Sequence, residues 1–227
     1  MIEETEPGSP TYPKISFKAD NISVRRGGRH VFENVTLSLQ NGTLLYLHGA
    51  NGTGKSTLIR TLSGRLDPIE GNTRLTINEA NADLSHNLMV LDHANGLKNT
   101  FTLYEQCQYF IRIVSGAPID TDKVDTSLKT LKLTHLVNQP IKYFSSGQRR
   151  RAALLRFLLI DRPIWFMDEP TVGVDAANRK TLENMIQSHI NRGGAAVVAT
   201  HDNIDIKGKT LNLDDYIPKQ KHGGYWS

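Results

Sequence analysis

Apolar and polar residues roughly alternate over residues 15–24 and again over 35–39, the period-two pattern of half-buried strands. Gln40-Asn41-Gly42 supplies a hairpin turn signal before the next apolar run, so an antiparallel β portion is expected first. Residues 44–47 read as a short apolar strand running into a glycine-rich segment, followed by helical spacing over 56–62 and a stop at Gly64. Pro68 and Gly71-Asn72 punctuate the chain before expected strands at 73–77 and 88–91. The character then changes. Residues 101–114, 123–137 and 148–160 fit helices, with Gly116-Ala117-Pro118 and Gln139-Pro140 as breaks, and together form a helical insertion over about 95–160. Residues 164–167 and 195–199 read as buried strands around a helix over 176–191 that buries Leu182, Met185, Ile186 and Ile190. Strands alternating with helices imply an α/β fold with a mainly parallel sheet. The first thirteen residues, with three prolines, read as an extended tail without packing of its own, and 14–227 as a single domain. Beyond Asp205 the pattern is too mixed to assign.

Composition narrows the class. Over 227 residues, 38% hydrophobic and 22% charged content fits a globular chain rather than a disordered or fibrous one. The net charge of +4 suits an acidic partner without implying nucleic acid. A single cysteine, Cys107, forbids an internal disulfide and fits a reducing compartment. No stretch approaches eighteen apolar residues, since the best candidate, 157–167, is broken by Asp161, Arg162 and Pro163. The start of the chain lacks the features of a secretory signal or a transit peptide, so no export is expected.

Gly49-Ala50-Asn51-Gly52-Thr53-Gly54-Lys55-Ser56-Thr57 satisfies the phosphate-loop pattern between an expected strand and an expected helix, as its mechanism requires. Glycines let successive N–H groups and the helix N-terminus face phosphates, Lys55 neutralises β/γ-phosphate charge, and the Ser56 hydroxyl can ligate Mg²⁺. By chance the pattern arises in roughly 1% of chains this long. Asp168 and Glu169 close an apolar strand at the end where open parallel sheets bind ligands. There Asp168 can hold a metal directly or through water, and Glu169 can polarise a water as general base. Alone, the pair would read as solvated carboxylates before Pro170; beside a phosphate loop it reads as a Mg²⁺ site. His201 ends another strand and can reach the same edge, although a lone histidine is more often structural. Phe144-Ser145-Ser146-Gly147-Gln148 opens a helix that Ser145 can cap, and Arg149, Arg150 and Arg151 after it read, in isolation, as a solvated face.

In this order, with Asp175 between the acidic strand end and the histidine, the motifs resemble those of an ATP-binding-cassette (ABC) ATPase domain, a P-loop NTPase fold. The resemblance implies that residues 49–57 are the Walker A loop and 145–148 the signature. It makes Asp168 and Glu169 the Walker B pair, Asp175 the D-loop aspartate and His201 the switch histidine. It also implies ATP and Mg²⁺ as ligands, and a working pair of chains in which each ATP lies between one phosphate loop and the other chain's Ser145, Gly147 and Gln148. Phe144 and Ser146 depart from the usual Leu and Gly of the signature, and Ser146 is tolerated where its backbone dihedrals are ordinary. Counting back from the phosphate loop, Arg26 stands where an aromatic residue often stacks on adenine, and its guanidinium could stack instead. The usual glutamine after the strand at 88–91 is missing: the chain reads Asp92-His93-Ala94-Asn95-Gly96. Asn95 or His93 could substitute, or water could complete the Mg²⁺ shell, and weak turnover is expected.

The run from His93 to Lys98, the Tyr104-Glu105 helix start and the short length resemble the ATPase subunit of the heme-exporter-type transporter of cytochrome c maturation. Residues 160–165 and the 199–206 segment look closer to its mitochondrial members. That resemblance implies a peripheral subunit on the inner membrane, at the mitochondrial matrix or bacterial cytoplasmic face, bound to polytopic subunits through the helical insertion. Its ATP cycle would drive release of a heme chaperone. No direct heme contact is expected, because His30, His48, His86 and His135 form no paired ligand spacing. The alternatives are a soluble non-transport ABC ATPase acting on nucleic acid or iron–sulfur assembly, and a small-molecule kinase. The lack of a second cassette and of sustained heptads argues against the first, and the signature and His201 against the second.

Overall fold

The computed structural model describes residues 12–92 and 94–218. β1 (Ile15–Arg26) and β2 (Arg29–Gln40) pair antiparallel through a turn at Gly27 and Gly28, whose φ angles of +56° and +78° a residue with a Cβ rarely adopts. The expected hairpin at Gln40–Gly42 is absent: β3 (Leu44–His48) leaves that turn for a different sheet. Four consecutive buried residues in β3 need cover on both faces, which the parallel sheet supplies and a two-sided edge hairpin does not. Asn41 fixes the crossing, accepting from Ile15 N and donating to the carbonyls of Pro13 and Gly193.

After α1 (Lys55–Leu62), β4 (Glu70–Ile77) and the short β5 (Ala80–Asn81) complete a four-stranded antiparallel sheet in the order β2-β1-β4-β5. Next come α2 (Leu84–Asn87), β6 (Leu88–Leu91), α3 (Leu103–Phe110), α4 (Thr121–Thr130) and α5 (Ser146–Leu159). The chain ends with β7 (Ile164–Asp168), α6 (Ala176–Asn191), β8 (Ala195–Ala199) and β9 (Lys209–Asn212). The second sheet runs β6-β7-β8-β3-β9, parallel throughout. β9, in the segment that resisted assignment, pairs with β3. The expected helix over 101–114 is α3 followed by a π-turn at Ile111–Ser115, and that over 123–137 stops at Thr130, with Lys132 left-handed at φ +54°.

Two apolar layers hold the sheets. Leu58, Ile59 and Leu62 of α1 are buried between the antiparallel sheet and one face of the parallel sheet, each side chain contributing about 1.5–3 kcal/mol. Phe17 of β1 meets Phe166 of β7 edge to face at 5.7 Å. The other face of the parallel sheet packs on α3, α4, α5 and α6.

Tyr12 departs from the expectation of an unpacked tail, while residues 1–11 lie outside the described residues. It is buried, donates to Asp161, lies under the Arg192 guanidinium at 4.9 Å, and meets the His189 ring at 5.3 Å. His189 stacks on Trp165 at 3.8 Å, and burial lowers its pKa from 6.5 to about 4. Arg192 lowers it further, while Asp161 and the Ala195 carbonyl oppose the shift. Between those two values the unfolded chain binds a proton that the folded chain refuses, so neutral His189 supports folding above pH 6.5 and that support is lost as pH falls toward 4. The loss amounts to up to about 3 kcal/mol. His189→Phe, which keeps a ring against Trp165, is expected to flatten the acid limb of stability in urea titrations between pH 6.5 and 4. An unchanged limb would refute this account.

Candidate functional site

β3 delivers the chain into the glycine-rich loop, and α1 starts from Gly54 in a left-handed conformation, φ +106°. A Cβ there would lie 2.4 Å from a Val31 methyl, so the loop passes β2 too closely for any side chain. Among the described residues, α1 alone of the α-helices lacks a side-chain cap; Asp83, Thr102, Asp120, Ser145 and Asp175 cap the others. Its first-turn N–H groups are therefore left for an external acceptor, and a phosphate fits. Lys55 is buried and turned back on the loop, donating to the carbonyls of Gly49 at 2.8 Å and Ala50 at 3.1 Å. Its ammonium also lies 2.9 Å from Nε2 of His201.

The order β7-β8-β3 places three strand ends side by side, which brings Asp168 and Glu169, His201 and the phosphate loop together. Glu169 Oε1 is 3.5 Å from His201 Nε2. Asp168 is buried, and its Oδ1 has no hydrogen-bond partner among the described residues. A buried carboxylate oxygen in that state fits a cation, and Ser56 lines the same cleft. The cleft, about 320 Å³, is lined by Arg26, Asn51, Gly52, Gly54, Lys55, Ser56, Thr57, Asp168 and Glu169, so Arg26 stands at its edge. Glu169 is held at φ +49°, a strained conformation for a residue with a Cβ, costing about 1–3 kcal/mol. Its N–H donates to Ala199 O at 2.8 Å.

Ser145, Gly147 and Gln148 do not line this cleft of their own chain. Ser145 Oγ accepts from Gln148 N while Gln148 Oε1 accepts from Ser145 N, a capping box that opens α5 at the surface. Ser146 lies in the first helical turn and is absent from the positive-φ residues, so it replaces glycine without strain. A Cβ on Gly147 would lie 2.9 Å from Gly173 O, so the signature packs directly on the loop between Glu169 and Asp175. Phe144 is buried in the helical core. Asp175 caps α6, accepting from Asn178 N, a bond that lowers its pKa.

Two residues escaped the sequence reading. Arg150 is buried rather than solvated, with hydrogen bonds to four oxygens; burial lowers its pKa, opposed by Asp168, Asp92 and Glu169. An arginine run gave no signal for which member turns inward. Asp214, beyond β9, accepts from Ala50 N at 3.1 Å with one oxygen and 3.3 Å with the other, clamping the loop from a segment 164 residues away. Asn95, a candidate for the missing glutamine, accepts from Arg150 through its Oδ1 at 2.6 Å, and His93 lies outside the described residues. Among the described residues no group of three His, Cys, Asp or Glu forms a metal cluster.

The profile of the ABC transporter family matches residues 32–172. The chain is 35% identical over 206 residues to the cytochrome c biogenesis ATP-binding export protein CcmA of Rhodobacter capsulatus, covering 90% of each. It is 37% identical over 204 residues to the protein of the same name from Bordetella bronchiseptica, covering 87% of this chain and 89% of that one. A solved putative ABC transporter ATP-binding protein of Pyrococcus furiosus shares the fold, with a TM-score of 0.77 at 20% identity, over 89% of this chain and all of that one. The chain belongs to the ABC transporter family of ATP-binding, ATP-hydrolysing proteins, and within it to the CcmA group. No helix of the described residues is long and apolar enough to cross a membrane.

Asp214→Ala is expected to weaken binding of a fluorescent ATP analogue about three- to tenfold, the net value of one ordinary hydrogen bond, at an unchanged melting midpoint. Unaltered affinity would show that the clamp does not shape the loop.

Proposed function

We propose that this chain is the ATP-hydrolysing subunit of a membrane transporter complex for cytochrome c biogenesis, acting as a pair of chains with ATP between them. The observation that carries this reading is the meeting of Lys55, Asp168, Glu169 and His201 around one uncapped helix start. In this reading residues 49–57 cradle the phosphates through backbone N–H groups, and Lys55 exchanges its loop carbonyls for phosphate oxygens. Arg26 stacks at the adenine end. Ser56 and Asp168 hold Mg²⁺, which when bound neutralises phosphate charge. Glu169 takes a proton from the attacking water as its oxygen bonds to the γ-phosphorus and the bond to the bridging oxygen breaks, giving ADP and phosphate. His201 donates to the γ-phosphate. Ser145, Gly147 and Gln148 of a second copy present the α5 N-terminus to the same γ-phosphate, so ATP holds the closed pair and ADP does not.

The helical segment over 95–160 supplies the docking side for polytopic membrane subunits, a role supported by exposed Ile113 and Val114 on the π-turn after α3. The complex lies on the inner membrane, at its mitochondrial matrix or bacterial cytoplasmic face, and its cycle releases a heme chaperone without heme touching this chain. Recovery with polytopic proteins in mild detergent would support it, and recovery with ribosomes or DNA would defeat it.

Glu169→Gln is expected to retain ATP affinity, lower turnover about 100-fold or more, and migrate as a dimer on size exclusion with ATP. Lys55→Ala is expected to lose nucleotide affinity itself. Turnover of Glu169→Gln at the parental rate would refute the assignment of the base.

A further inference from the structure

One guanidinium joins three segments of the cleft. From the first turns of α5, Arg150 Nη2 donates to the carbonyls of Asp168 at 2.6 Å and Glu169 at 2.7 Å. Its Nη1 donates to Asp92 O at 3.0 Å and Asn95 Oδ1 at 2.6 Å. The two carbonyls flank the peptide that sets the direction of the Glu169 side chain, at the residue whose φ is +49°. Two further arginines hold the same two residues, Arg65 on Asp92 Oδ2 and Arg156 on Asn95 O. Asn95 is itself left-handed, at φ +55°. Arg150 is 5% exposed and has no acidic side chain within salt-bridge distance among the described residues. Burying a guanidinium on neutral oxygens is costly unless the geometry it enforces is used.

We propose that Arg150 is a positioning residue for ATP hydrolysis: it fixes the strained backbone at Glu169 and ties it to Asp92 and Asn95, on either side of the position where the family's usual glutamine is missing. The inference rests on Glu169 as the base. Displacement of Asn95 moves the guanidinium, and the guanidinium moves the backbone that aims Glu169. Asn95 therefore acts on the reaction through α5 rather than by ligating metal or water. No charge changes hands; the control is geometric, and a misplacement of about 1 Å at a catalytic group costs on the order of 100-fold in rate.

Arg150→Lys keeps the charge but cannot bridge four acceptors. In the full-length chain it is expected to lower kcat about ten- to hundredfold while KM and the Kd for a fluorescent ATP analogue shift less than about twofold. Added to Glu169→Gln, it is expected to reduce the residual rate by less than about twofold, because the group it positions is gone. Asn95→Gly keeps the left-handed backbone and removes one acceptor, and is expected to lower kcat severalfold at unchanged KM and melting midpoint. If Arg150→Lys does not fold, Asn95→Gly decides: an unchanged kcat overturns the proposal. An Arg150→Lys kcat within about twofold of the parent, or an equal fold-loss in both backgrounds, also overturns it while leaving the base assignment intact. Parental turnover by Glu169→Gln instead removes the base and this proposal with it.

Discussion

The first turn of α1 has no side-chain cap among the described residues, and directly beside it lies an ammonium that has been taken out of water. Each donor left without a partner costs about 1–3 kcal/mol when buried, so this corner is tolerable only with an acceptor at hand. Lys55 donates to Gly49 O and Ala50 O and lies beside His201 Nε2. A phosphate chain answers both needs at once, and that is why the remaining elements converge here. The glycines exclude side chains from the loop, Asp214 steadies its first N–H, and the strand order β7-β8-β3 sets two carboxylates and an imidazole at the same edge.

The opposite requirement governs Glu169. Its carboxylate lies 3.5 Å from His201 Nε2 and is carried on a strained backbone at φ +49°. Arg150 and the Ala199 carbonyl stabilise that conformation from behind the site, where they do not compete with a nucleotide. The same guanidinium reaches α5, whose exposed N-terminus is the part of the chain suited to a second copy's nucleotide. Through that guanidinium the backbone of Asp168 and Glu169, α5, Asp92 and Asn95 are joined within one protomer.

Gly147 against Gly173 O adds a second joint. Where the signature and the loop ahead of Asp175 touch at 2.9 Å for a hypothetical Cβ, neither moves without the other.

Local chemistry settled much of this in advance. The phosphate loop, the acidic strand end, the Ser145 cap and the strand–helix alternation rest on short-range spacing, and periodicity alone reads such features: Ala176–Asn191 and Ala195–Ala199 fall where apolar spacing placed them. Long-range pairing was invisible. The turn at residues 40–42 reads as a hairpin because turn residues carry no record of which sheet comes next, and β9 is a strand only because β3 offers it an edge. Nor does a run of three arginines declare which one is buried. That choice is made by the register of α5 against β6 and β7, where carbonyls of Asp92, Asp168 and Glu169 await a donor that only the packed fold brings to them.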